Sequence, residues 1–261
     1  MFWLLFVIAT SIILEMLPIS SSTHMYAIIH TLQKYSVLSE RPEILQAFDF
    51  IVHGPTLCVL LLFFYERIKL FLIYLARNVQ YALHYLLLGF VVELITLIFF
   101  LVIKKMSLGS FPVWIGFTIT TICLLSERFI PEQRASTSWN FSKALLLGCA
   151  QGLAFLPGIS RLGITFATAR WCGFSRRHAF EISFLIEAPI SAAAFCKGIM
   201  DLSTAGALNL LNYKTYLIMV IAGGIALKIL HRIYTMVNEA KWWLFGCYTF
   251  VCAMVSFMLR D

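Results

Sequence analysis

Charge is what this sequence has least of. Only 13% of its 261 residues are Asp, Glu, Lys or Arg, against about 25% in an ordinary soluble domain. Hydrophobic residues make up 61% of the chain and the mean hydropathy is +0.87. A water-soluble globule is excluded, and a single-domain polytopic integral membrane protein is expected. Clustered basic residues are missing too. The net charge of +7 is scattered, which argues against nucleic acid and suits basic loops beside an anionic lipid or substrate. The seven cysteines form no CxxC pair and mostly sit in apolar runs. They read as packing residues, with neither a disulfide framework nor a zinc site. The opening stretch, Met1 to Leu14, has no basic n-region and no small-x-small cleavage site before Glu15. It reads as a retained membrane element. An asymmetry of flanking charge is absent as well. Arg and Lys flank both ends of the 81–103 span, so the positive-inside rule gives no orientation.

Long apolar runs are abundant. A helix needs about 20 apolar residues to cross the hydrocarbon core. Phe2 to Leu17 is slightly short and stops at Pro18, like a half-helix ending inside the membrane. Spans are expected at 47–65, 81–103, 111–126, 177–198, 215–231 and 243–259, with an interfacial helix at 70–80. Residues 127–140, with Glu127, Arg128, Glu132 and Arg134, form the clearest extramembrane loop. Residues 142–156 mirror the first element, halted by Pro157-Gly158, and 163–172 form a returning half.

Two polar stretches interrupt these runs. Phe155-Leu156-Pro157-Gly158-Ile159-Ser160-Arg161-Leu162-Gly163-Ile164-Thr165 breaks a helix and carries three donors suited to oxyanions. Glu15-Met16-Leu17-Pro18-Ile19-Ser20-Ser21-Ser22-Thr23-His24 echoes it. A weaker echo follows each, Phe48-Asp49 with Pro55 and Phe180-Glu181 with Pro189. Two homologous halves, roughly 1–126 and 141–261, are expected. Broken helices at matching places mark a midplane site with half-helix ends aimed at the ligand. The two stretches are expected to meet there around a phosphate.

Arg161 is the leading site residue. A membrane-buried Arg costs about 2.5–3.5 kcal/mol or more and needs an anionic partner. Its planar fork suits phosphate, and Gly158 and Ser160 belong to a turn with exposed N–H groups that favour anions. The structural alternative is an ion pair with Glu15, Glu181 or Glu187. Glu15 suits a magnesium or calcium ion, or a proton from a nucleophile; structurally it would need a Lys or Arg neighbour. Ser11 lies one turn earlier on the same face. Ser20, Ser21 and Ser22 read either as a polar turn or as nucleophiles beside a base, with His24 near enough to serve. Asp49, Glu181 and Glu187 fit metal steering or support of Arg161, and equally ion pairs with Arg176, Arg177 or Lys197. Glu93 and His53 read as proton-path groups or ordinary bundle polars. The 23 Phe suit lipid, core or a greasy groove alike.

These residues resemble the undecaprenyl-diphosphate phosphatase family, also called the bacitracin-resistance family, over almost the whole chain. The family's Glu-Phe-Leu-Pro-x-Ser-Ser-x-Gly-His corresponds to Glu15 through His24. Its Pro-Gly-x-Ser-Arg-Ser-x-x-Thr, preceded by Gln, corresponds to Gln151 and Pro157 through Thr165. Gly173, Ser175, Arg176, Ser183-Phe184-Leu185 and Pro189 continue the pattern, and Phe48-Asp49 with Gly54 looks similar to a Phe-acid pair followed by Gly. The resemblance implies an all-α polytopic membrane protein of about eight hydrophobic segments, with inverted-topology repeats and two re-entrant regions. It implies cleavage of the terminal phosphate of a polyprenyl diphosphate in the bacterial cytoplasmic membrane, with a divalent cation. Membrane lipids are the other implied partners, and a homodimer is compatible.

By that resemblance, Arg161 and the turn at Gly158, with Ser20, Ser22, Ser160 and Thr165, bind the phosphates. A cation on Glu15 neutralises charge, Ser21 is the best-placed nucleophile and His24 handles the proton. A water activated by His24 or Glu15 is equally compatible. The chain departs from the pattern at Ser11 (usually Glu), Thr23 (Gly), Leu162 (Ser), Asp49 (Glu) and His53 (Gln). Glu187 stands where the family is usually uncharged and would supply a replacement carboxylate. A transporter of polyprenyl monophosphate is the rival reading, since repeats around a midplane site suit transport as well. The soluble-type lipid phosphatase motif Pro-Ser-Gly-His is absent.

Overall fold

A computed structural model describes residues 2–37, 40–106, 111–132 and 138–259. Arg134 of the expected loop lies outside them. The described chain is helical with no strand, and the fold is an all-α polytopic membrane protein. Among the described residues four helical stretches are long and apolar enough to cross a membrane: Pro42–Phe63, Leu83–Lys105, Arg176–Thr204 and Tyr213–Asn238.

The helices are α1 (Phe2–Leu14), α2 (Ser21–Lys34), α3 (Pro42–Ile51), α4 (His53–Phe63), α5 (Tyr65–Arg77), α6 (Val79–Lys105) and α7 (Val113–Ser126). They continue with α8 (Phe141–Leu153), α9 (Arg161–Trp171), α10 (Arg176–Leu185), α11 (Ala188–Thr204), α12 (Tyr213–Asn238) and α13 (Trp243–Met258). Two compact units interleave along the sequence. Unit 1 holds Met1–Leu17, Ser21–Phe63 and Glu187–Arg232; unit 2 holds Pro18–Ser20, Phe64–Ile186 and Ile233–Asp261.

Several boundaries differ from the sequence reading, each for a local reason. The first helix stops at Leu14, short of Leu17, and three-residue turns carry the chain on, with Met16 N donating to Ile13 O and Leu17 N to Leu14 O. The span expected at 47–65 starts at Pro42 and is broken in two. Proline lacks an N–H, and its ring clashes with the carbonyl four residues back. Pro55 therefore ends α3 at Ile51, and Pro189 ends α10 at Leu185. The two breaks share one register, which sets His53 against Glu187, each two residues before its proline. In that register Asp49 aligns with Ser183, not with Glu181. The helix expected at 70–80 is α5, which begins at Tyr65 and buries no residue.

In unit 2, α8, the turn and α9 form a helical hairpin. Asn140 caps α8 by accepting from Lys143 N at 3.0 Å. Small residues let α8 press on α6: a Cβ on Gly148 would lie 2.8 Å from Val92 O, and one on Gly152 2.6 Å from the Phe99 ring. At the far end of α9 a buried ion cluster fixes the chain. Arg170, fully buried, donates to Glu127 at 2.9 Å and to the Phe174 carbonyl at 2.6 Å. Arg176 joins through Glu127 at 2.9 Å and Glu132 at 3.0 Å. Burial pushes the Glu127 carboxyl up, and the two guanidiniums pull against it. Arg176, Glu181 and Lys197 thus have local partners. Glu181 pairs with Arg177 at 3.2 Å and Arg67 at 3.3 Å, and Lys197 with Asp201 at 2.6 Å.

Candidate active site

In unit 1 the chemistry gathers on Glu15. The residue follows α1 directly, its N–H still bonded to Ser11 O at 3.0 Å. The chain then turns at Pro18, passes through Ser20 at φ +62° and enters α2 at Ser21. A left-handed backbone is strained for a residue with a Cβ, and such strain gathers at functional sites. The turn folds Ser21 back onto Glu15: Ser21 Oγ donates to Glu15 Oε1 at 2.7 Å. His24 lies one turn further along α2, at the i+3 position that shares a face with Ser21. Ser22 is exposed.

The other oxygen of Glu15 has a neighbour that the sequence left weak. His53 Nδ1 lies 3.8 Å from Glu15 Oε2, both side chains being close to buried. His53 is the first residue of α4, immediately after the break that Pro55 imposes. A small recess in the same unit is walled by Val7, Ile8, Phe48 and Val52, with Ser11 and Asp49 its polar members. Glu187 sits at the corresponding break before α11 and is buried.

The unit 2 part is a backbone cradle. Pro157 ends the turn after α8, Gly158 has φ +82°, and Ser160 caps α9 by accepting from Gly163 N at 3.2 Å. Glycine is required at 158 twice over. The left-handed backbone favours it, and a Cβ would collide with the Val113 carbonyl of α7. Gly116 makes the reciprocal approach to the Pro157 carbonyl. Thr120, on α7, locks the turn: its Oγ1 donates to Gly158 O at 3.0 Å and accepts from Ser160 N at 2.9 Å. This arrangement presents Arg161 in the first turn of α9, where free helix N–H groups and the helix dipole favour an anion. Thr165 is spent inside the helix, its fully buried hydroxyl donating to Arg161 O at 2.8 Å.

Glu93 of α6 is one carboxylate within electrostatic reach of Arg161, and it also hydrogen-bonds Gln151. Gln151 Nε2 donates to the Ile186 carbonyl at 3.2 Å. The ion-pair alternatives weighed for Arg161 did not include Glu93. Thr120 and the His53–Glu15 approach were likewise missed, because nothing in the linear order ties them to the motifs. The signals present were the intramembrane position of Glu93 and the His at 53 ahead of a proline.

Among the described residues no three His, Cys, Asp or Glu side chains gather so as to hold a metal ion. One turn before Glu15 the first helix carries the Ser11 hydroxyl and no second acid, and the recess lined by Ser11 and Asp49 is mostly apolar. Magnesium and calcium take about six or more oxygen ligands, carboxylates prominent among them. This donor set does not fit a resident cation.

The chain is thus a helical membrane protein with two proline-broken hairpins, one carrying a Ser–carboxylate pair and the other an arginine on a helix N-terminus. The family model described as bacitracin resistance protein BacA matches residues 10–255, and the chain belongs to that family. It is 27% identical to the undecaprenyl-diphosphatase of Buchnera aphidicola over 255 residues, covering 95% of this chain and 93% of that protein. It is 32% identical to the undecaprenyl-diphosphatase of Borreliella burgdorferi over 261 residues, covering 93% and 92%. The undecaprenyl-diphosphatase of Idiomarina loihiensis is 27% identical over 263 residues, with 95% and 94% covered.

Proposed function

We infer that this chain hydrolyses undecaprenyl diphosphate to undecaprenyl phosphate and inorganic phosphate, recycling a lipid carrier. Membership of the family over residues 10–255 supports the reaction. The observation that carries the chemistry is the 2.7 Å hydrogen bond from Ser21 to Glu15.

In this reading Glu15 takes the Ser21 proton as Oγ attacks the terminal phosphorus. The bond from that phosphorus to the bridging oxygen breaks, and undecaprenyl phosphate leaves. Water then attacks the phosphoserine, releases phosphate and returns the hydroxyl to Ser21, with His24 passing protons to and from the reacting oxygens. Arg161 and the first N–H groups of α9 hold phosphate oxygens and stabilise the charge that develops on them. Ser20, Ser22, Gly158 and Ser160 are the further substrate contacts of this reading. No step is routed through a metal ion. The protein would act in the bacterial cytoplasmic membrane, and a homodimer is compatible with this mechanism.

Phosphate release from undecaprenyl diphosphate by purified protein in detergent, with Arg161→Ala alongside, tests the reading. Arg161→Ala should lower kcat/KM about 10²–10³-fold while the protein still inserts and stays helical. No release from well-folded wild type would favour carriage of the lipid phosphate across the membrane instead.

A further inference from the structure

We propose that His53 stands where a resident divalent cation would otherwise partner Glu15, so that the site holds a Ser21–Glu15–His53 chain in place of a metal centre. The proposal rests on the reading of Glu15 and Ser21 as the reacting pair. Three features carry it.

The first is the occupancy of the carboxylate. One Glu15 oxygen accepts from Ser21 at 2.7 Å, and His53 Nδ1 lies 3.8 Å from the other, an ion-pair distance when the imidazole is protonated and not a hydrogen bond. The second is the donor set. Ser11 puts a hydroxyl where a second carboxylate on α1 would sit, and Asp49 is the single acid of the recess it shares with Ser11. Among the described residues no third metal-ligating side chain completes a cluster.

The third feature is how firmly the imidazole is placed. The break made by Pro55 starts α4 at His53. The His53 carbonyl accepts from the buried Thr56 hydroxyl at 2.9 Å. Gly54, next in sequence, lies so near α11 that a Cβ there would come 2.5 Å from the Phe195 ring. A histidine fixed this way serves as a positioning residue. It holds Glu15 oriented toward Ser21, a task that a cation bound by two carboxylates would otherwise perform. Misplacing a reacting group by about 1 Å costs on the order of 100-fold in rate.

The deciding experiment is a Mn²⁺ titration of substrate-free protein in detergent, followed by electron paramagnetic resonance, on wild type and Glu15→Gln. Equal uptake by the two is expected. One Mn²⁺ per chain bound by wild type and lost in Glu15→Gln overturns the proposal. The kinetic arm uses His53→Ala and the near-isosteric His53→Gln, which keeps a donor. His53→Ala should lower kcat roughly 10- to 100-fold with KM within about twofold of wild type, and His53→Gln should recover most of the loss. A His53→Ala kcat equal to wild type also overturns the proposal. Should His53→Ala fail to fold, a kcat for His53→Gln lowered as far as for Glu15→Gln overturns it too. Absence of phosphate release from wild type counts against the phosphatase reading alone, because the Mn²⁺ arm needs no substrate.

Discussion

The two proline-broken hairpins start from nearly the same words, Leu-Pro-Ile-Ser and Leu-Pro-Gly-Ile-Ser, and end as different devices. The second is closed from outside. Gly158 takes the left-handed backbone without strain, Thr120 of a neighbouring helix bonds the turn on both sides, and Ser160 caps the helix that follows. The first is closed from within. It lacks the glycine, so Ser20 itself adopts φ +62°, and the contact across the turn is Ser21 on Glu15. One hairpin is a satisfied backbone frame that presents an arginine. The other stores strain and spends its polar side chains on each other. A single inserted glycine separates a backbone frame from a hydrogen-bonded Ser21–Glu15 pair.

Substitutions can break or sharpen this contrast. Ser21→Ala removes the proposed nucleophile and should lower kcat by about 10⁴-fold or more, with the thermal midpoint in detergent unchanged. A loss of less than tenfold would hand the attack to water. Gly158→Ala puts a Cβ against the Val113 carbonyl on a left-handed backbone. It should cost about 3–4 kcal/mol of stability and be seen as poor recovery and early unfolding.

Thr120→Val is nearly isosteric and strips both bonds from the turn. It should destabilise by about 1–3 kcal/mol, since two buried backbone groups lose their partner. If the frame exists to present Arg161, KM should rise as well. Ser20→Gly is the smallest change and the most informative about the first hairpin. Relief of the φ strain should raise stability by up to about 1 kcal/mol, while turnover falls because the turn no longer holds Ser21 on Glu15. Equal or faster turnover would show that the strained turn is incidental.

Much of this was legible in the chain. The apolar runs gave four spans, while those at 111–126 and 243–259 became helices of 14 and 16 residues, and Pro18 and Pro157 marked the two turns, since a proline acts on its own few neighbours. The candidates Glu15 and Arg161 stood out because charge is conspicuous in apolar surroundings, whereas Ser21 is singled out from Ser20 and Ser22 by the family resemblance alone. Glu181 looked equally conspicuous, yet it pairs with Arg67 and Arg177. Composition alone does not separate a structural ion pair from a site residue.

The sequence by itself determined that the chain lies in a membrane, where its helices break and which segments carry polar groups. These follow from hydrophobic partition and local backbone chemistry, which act over a few residues. Tertiary structure decided which polar groups meet. Thr120 reaches Gly158 across 38 positions, Gln151 meets Glu93 of α6, and His53 approaches Glu15 from a different helix. Such pairs depend on the register and depth at which helices pack. Those are set by small residues such as Gly54, Gly116 and Gly148, where one helix presses on another.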